Sequence, residues 1–120
     1  MYSILKKCRR WTERIAFEKQ FNSNLSGLCA VAAGKVSREL RRVDIPCVIC
    51  YNSNHVFNRV GDRLVDITAT QFNLPEIYVT DFPANDWFYQ VDRQFRNWRQ
   101  LANHQIKEGW YCDQIYQTYL

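Results

Sequence analysis

The hydrophobic period of this chain changes at Asp44-Ile45-Pro46, and that change constrains the fold more than any other feature. Before it, apolar residues recur at helical spacing. Ile4, Cys8, Trp11, Ile15 and Phe21 predict a helix over residues 3–21. A loop rich in Asn and Ser at residues 22–27 leads to a second predicted helix over 28–42. Its apolar face is Ala30, Val31, Ala33, Val36 and Leu40, and the small residues at Ala32, Ala33 and Gly34 suit close packing in a central position. After Pro46 the pattern is extended. Residues 47–51, 55–60 and 63–67 predict strands, with Gly61-Asp62 as a two-residue hairpin loop. Beyond Thr68 the chain reads as irregular, with a short strand at 77–80. Residues 91–106 predict a last helix, with Val91, Phe95, Trp98, Ala102 and Ile106 on one side. The aromatic tail 110–120 is expected to pack back on the body. This order of elements is that of an α+β domain spanning residues 1–120.

Charge and cysteine usage narrow the function classes. The net charge is +4, and the basic residues are divided among 6–14, 35–42 and 93–99. A nucleic-acid surface needs them gathered on one face, so a nucleic-acid partner is not expected. No apolar stretch approaches the ~20 residues of a membrane span. Lys6, Lys7, Arg9 and Arg10 follow the first residues at once, where a signal peptide would be apolar. Five cysteines, an odd number, without an export signal point to reduced thiols and a cytoplasmic setting, in the producing cell or an infected host.

Cys29 stands where a loop becomes a helix. The N-terminus of a helix carries unpaired N–H groups and a positive dipole end, which favour a thiolate and can hold an oxyanion. Taken alone, a cysteine is more often a small core residue. A nucleophilic cysteine also needs a base, and the base needs a group that sets its tautomer. The hairpin supplies both by register. With Gly61-Asp62 as the loop, Val60 faces Arg63, Phe57 faces Asp66 and His55 faces Thr68. His55 and Phe57 share a sheet face, so Asp66 lies diagonal to His55, about 7–8 Å away at the backbone and within side-chain reach. A one-residue bulge would break this register.

The segments Ser26-Gly-Leu-Cys29-Ala-Val-Ala-Ala33, Asn54-His55-Val-Phe57 and Gly61-Asp-Arg-Leu-Val-Asp66-Ile-Thr68-Ala-Thr-Gln71-Phe72 resemble the transglutaminase-like branch of the papain-like cysteine enzymes, in particular its small bacterial and phage members. The resemblance spans residues 20–82. It implies a nucleophile at the N-terminus of a central helix packed on a small antiparallel sheet. It also implies a Cys29-His55-Asp66 triad acting on a peptide or glutamine amide by hydrolysis or acyl transfer, and a protein or peptide substrate. It calls for no cofactor and no metal. Phe57 stands where many members have Trp. Gln71, Asn24 and Ser26 are candidates for oxyanion or substrate binding; Asn54 and Thr68 are expected to support the site.

Other readings have less behind them. Cys47-Val-Ile-Cys50 lacks the upstream His-x-Glu or Cys-x-Glu of zinc deaminases and lies in an apolar run, so both are expected in the core. Cys8 and Cys112 carry no motif. A non-catalytic binding protein that retains the fold is the main alternative to an enzyme. A weaker one is a nucleic-acid module using Arg93, Arg96 and Arg99.

Overall fold

The computed structural model describes residues 1–109. The expected packing of the aromatic tail, and Cys112, fall outside the described residues.

Helix α1 spans Tyr2–Glu18 and α2 spans Cys29–Arg42. Both end in the same way. Gln20 and Asp44 adopt positive φ of 59° and 60°. Phe21 N–H then donates to Ala16 O, and Ile45 N–H to Leu40 O. This is the Schellman closure, with the hydrophobic pair Leu40/Ile45 beside the second instance. The first closure corrects the expectation for 3–21. The helix stops at Glu18, and the turn swings Phe21 off the helical face, over Gly27. Of the residues expected along that face, Cys8 and Ile15 are buried, joined by Leu5 and Arg9.

The sheet has five strands: β1 Val48–Tyr51, β2 Val56–Val60, β3 Arg63–Asp66, β4 Tyr78–Asp81 and β5 Arg93–Phe95. Their order is β4-β3-β2-β1-β5, and every pairing is antiparallel. The expected hairpin register is observed: Val60 pairs with Arg63, Arg59 with Leu64 and Asn58 with Val65. No bulge intervenes. Gly61 turns the chain at φ 61°, a conformation that glycine adopts without a Cβ clash.

Side chains on the sheet alternate between two layers. Ile49, Val56 and Val65 face α2 and the clusters around it. The small face of α2 lets the helix approach so closely that Asn58 Nδ2 donates to Ala33 O at 3.0 Å. Cys50, Phe57 and Leu64 face the other way, against Tyr89, with Leu74, Phe82 and Phe88 at the edges. The stretch after Thr68 is therefore a second cover for the sheet. It contains two 3-10 turns, Ala69–Phe72 and Trp87–Tyr89, besides β4.

The predicted helix over 91–106 is overturned in its first half. Residues 93–95 are the edge strand β5, where Phe95 pairs with Ile49 and Arg93 with Tyr51. The helix α3 covers only Trp98–Lys107. Asn97 caps it by accepting from Gln100 N–H, and the Gln100 side chain accepts from Arg96 N–H. This reciprocal pair resembles a capping box and sets the boundary. Leu101, Ala102 and Gln105 are its buried stripe, while Ile106 is half exposed. Arg93 lies on β5, Arg96 between β5 and α3, and Arg99 on α3, so the three do not share a helix face. No helix among the described residues is long and apolar enough to cross a membrane.

Candidate active site

The site forms where the N-terminus of α2 meets the starts and ends of the central strands. Cys29 is the first residue of α2, and Leu28 before it supplies no side-chain cap. The N–H groups of the first turn are left for another acceptor. The loop that delivers Cys29 is held by its own asparagines. Asn22 Oδ1 accepts from Asn24 N–H, and Asn24 Oδ1 accepts from Ser26 N–H. Gly27 sits at φ 88°, and a Cβ there would approach the Phe21 ring to 3.2 Å.

His55 lies just before β2 and is almost fully buried. Its Nε2 is 2.7 Å from Asp66 Oδ2. The bond at Nε2 leaves Nδ1 for the cleft, and Cys29 on the same cleft wall is near enough to act on the ring. The three residues that the sequence singled out are thus brought together. Asp66, at the end of β3, is 2% exposed and accepts four hydrogen bonds. Besides His55, Oδ2 takes the Tyr89 hydroxyl at 2.8 Å. Oδ1 takes Thr68 N–H at 2.8 Å and Thr68 Oγ1 at 3.1 Å.

Burial pulls the His55 pKa down, but the bonds and negative charge of Asp66 and Cys29 outweigh it, and the value is raised to about 9. His55 is therefore an imidazolium at neutral pH. Burial and the Asp66 charge push the Tyr89 hydroxyl up, so it stays a donor. A raised folded-state value means that the folded protein holds this proton more tightly than the unfolded chain, whose histidine titrates near 6.5. The stabilisation is full below about pH 6.5 and is lost as pH rises through about 9. In a Cys29→Ser background, where the thiol's own proton is out of the balance, urea unfolding midpoints should fall as pH rises above about 6.5, and adding His55→Gln should leave them nearly flat. Equal slopes would show that His55 is not the titrating group.

Three supporting residues are not in the sequence reading. Asn52 fixes the backbone of His55: its Oδ1 accepts from Asn54 N–H and His55 N–H, while Nδ2 donates to Phe88 O and Gln90 O. An asparagine followed by Ser-Asn-His between strands is an Asx-turn signal that was there to be read. Tyr89, by contrast, is remote from Asp66 in sequence and carries no local signal. Arg9, 3% exposed, donates Nη1 to Ile67 O and Thr70 Oγ1, and Thr70 Oγ1 donates to Asn24 O. One buried guanidinium thus ties α1 to the segment after Asp66 and, through Thr70, to the loop before Cys29.

A cleft of about 240 Å³ opens over Cys29 and His55, with Ser26, Gly27, Asn54 and Gln71 on its walls. Of the candidate binding residues, Ser26 and Gln71 line it. Asn24 does not, because its side chain is spent on the loop. Gln71 Nε2 donates to Thr68 O at 3.0 Å and lies 3.3 Å from Thr68 Oγ1 and 3.4 Å from His55 Nδ1. Its Nε2 is thus turned mainly toward Thr68. Comparison with protein-family models, curated proteins and solved structures finds no match to this chain.

The remaining described cysteines are core residues. Cys8, Cys47 and Cys50 are buried, and burial pushes their thiols up to about 12, 11 and 12. No cluster of three or more His, Cys, Asp and Glu side chains suited to a metal ion occurs among the described residues.

Proposed function

We propose that this protein is a cysteine-dependent acyl-transfer enzyme of the papain/transglutaminase-like kind, with Cys29 as nucleophile, His55 as acid and base, and Asp66 holding the imidazole. One observation carries the reading. His55 is bonded to a buried carboxylate and neighbours a cysteine at a helix N-terminus, over an open cleft. Buried histidines held only for packing do not need this arrangement.

The steps follow from the atoms. Asp66 retains the proton on Nε2, so Nδ1 exchanges protons with Cys29. The Cys29 thiolate attacks a carbonyl carbon, and the first-turn N–H groups of α2 receive the developing oxyanion. Nδ1–H protonates the leaving nitrogen as the C–N bond breaks, which leaves a thioester. Water attacks the thioester and gives its proton to Nδ1, the C–S bond breaks, and the carboxylic acid departs. An amine in place of water gives transamidation.

Alkylation by iodoacetamide, followed residue by residue with peptide mass spectrometry, tests the pair. A free thiol of pKa ~8.5 is only about 1% thiolate at pH 6.5, so a preformed ion pair reacts up to roughly 100-fold faster there. Cys29 should show that excess, and His55→Ala should remove it. Cys8, Cys47 and Cys50 serve as unreactive internal standards in the folded protein. If Cys29 follows the pH profile of a free thiol with and without His55, the enzyme reading falls, and a binding role takes its place.

A further inference from the structure

The basic residues of 6–14 and 35–42 lie apart in the chain, but the packing of α1 on α2 brings them to one face. Two hollows of about 500 Å³ each meet at Trp11. One runs along α1 among Lys6, Lys7, Arg10 and Arg14. The other lies between the helices among Lys7, Lys35 and Arg42. They share Lys7 and Trp11 and so form one groove, and Glu39 is the one carboxylate on its walls among the described residues. Glu39 is already held by Lys35 at 3.0 Å and by Arg42 at 3.1 Å. Arg10 is paired with Glu13 and Glu76. Lys6, Lys7 and Arg14 are exposed and have no acidic partner among the described residues. The groove therefore carries positive charge that its own carboxylates do not balance. Its floor is apolar, formed by Ile4, Trp11 and, at the end of α2, Val43, which is 52% exposed.

We infer that this groove binds an acidic, amphipathic segment of a partner protein, with carboxylates on the Lys6, Lys7 and Arg14 rim and apolar side chains on the floor. The inference stands apart from the acyl-transfer reading and does not need it. Charge complementarity sets the sign of the partner. The floor sets its chemistry. Nucleic-acid strands held on an aromatic need an open ring face on which a base can stack. Lys35 Nζ stands over the Trp11 ring, 4.9 Å from its centroid, where a base would lie, and the indole also packs on the core cluster of Ile15 and Val31. A membrane surface is met by side chains that protrude, whereas Trp11 is half-buried beside α2. The apolar side chains of a peptide can enter such a recess while its carboxylates stay on the rim, as amphipathic segments do in grooves.

A library of random peptides displayed on phage, selected on the full chain, tests this. The selected peptides should be rich in Asp and Glu and carry Leu, Ile, Phe or Trp at helical spacing. One of them, labelled with fluorescein, is then titrated by anisotropy. Lys7→Glu combined with Arg14→Glu should weaken it by about tenfold or more, because two attractions become repulsions. Both side chains are exposed and have no acidic partner, so the fold is expected to be kept, and urea unfolding checks it. Arg93→Glu combined with Arg96→Glu changes the net charge equally at exposed positions outside the groove and should leave the affinity nearly unchanged. Replacing the apolar residues of the peptide by Ser should also abolish binding. Selected peptides without carboxylates, or equal losses in the two double variants, would overturn the inference. A duplex DNA or a phosphatidylserine vesicle that displaces the peptide and binds more tightly than it does would also overturn it, in favour of that partner.

Discussion

Asp66→Ala is expected to destabilise the protein by about 3–5 kcal/mol, the cost of leaving a buried charge unpaired. It should also cut Cys29-dependent acyl transfer by roughly 10⁴-fold, the scale seen when a triad carboxylate is lost. Both effects come from one side chain. Asp66 neutralises the His55 imidazolium and also accepts the Tyr89 hydroxyl and two Thr68 donors, all of them buried. Alanine strands four donors at once. Asp66→Asn separates the two effects. An asparagine oxygen still serves Thr68, and its NH₂ can meet Tyr89, so the stability loss should be smaller. The same NH₂ would donate to Nε2 and force the ring proton onto Nδ1, where it cannot take the proton of Cys29. Reactivity should therefore fall nearly as far as in Asp66→Ala. Urea unfolding and the p-nitrophenyl acetate burst measure the two quantities. An Asp66→Asn protein with near wild-type burst kinetics would remove Asp66 from the mechanism.

The other large effect lies beneath the histidine. Phe57→Ala should cost about 3–5 kcal/mol, the range for deleting a fully buried aromatic. Phe57 is 1% exposed, stacks on the His55 ring at 5.9 Å and meets Tyr89 edge to face at 5.0 Å. The cavity would open under His55 and Tyr89, two of the partners of Asp66. Phe57→Leu fills part of that space and should cost less than half as much. Urea titration gives the values. A loss below about 1 kcal/mol for Phe57→Ala would mean that the layer under the site collapses freely, which close-packed interiors rarely do.

Much of this protein was legible in the chain before any coordinates. Periodicity located α1, α2 and the first three strands, and the Gly61-Asp62 loop set the register that puts His55 and Asp66 on one face. Side-chain alternation has a period of two, so a correct turn places every residue of the hairpin. Failure came where local pattern and tertiary pairing disagreed. Val91 and Phe95 have the right spacing for a helix with Trp98 and Ala102, yet residues 93–95 complete the edge of the sheet beside β1. The Asn97 and Gln100 cap then begins the helix later. Arg9 shows the same limit. Among Lys6, Lys7 and Arg10 it looks like one more solvated cation, but Ile67 O and Thr70 Oγ1 converge on it in the interior.

By itself, then, the sequence determined the α+β class, the hairpin and the position of Cys29 at a helix start, because these depend on contacts close along the chain. The tertiary structure alone decided that Tyr89 and Asn52 brace Asp66 and His55, that the stretch after Thr68 roofs the sheet, and that Gln71 joins the cleft wall beside His55. Those outcomes depend on which distant polar groups must satisfy one another once they are buried. Burial is a property of the packed molecule, and no spacing along the chain encodes it.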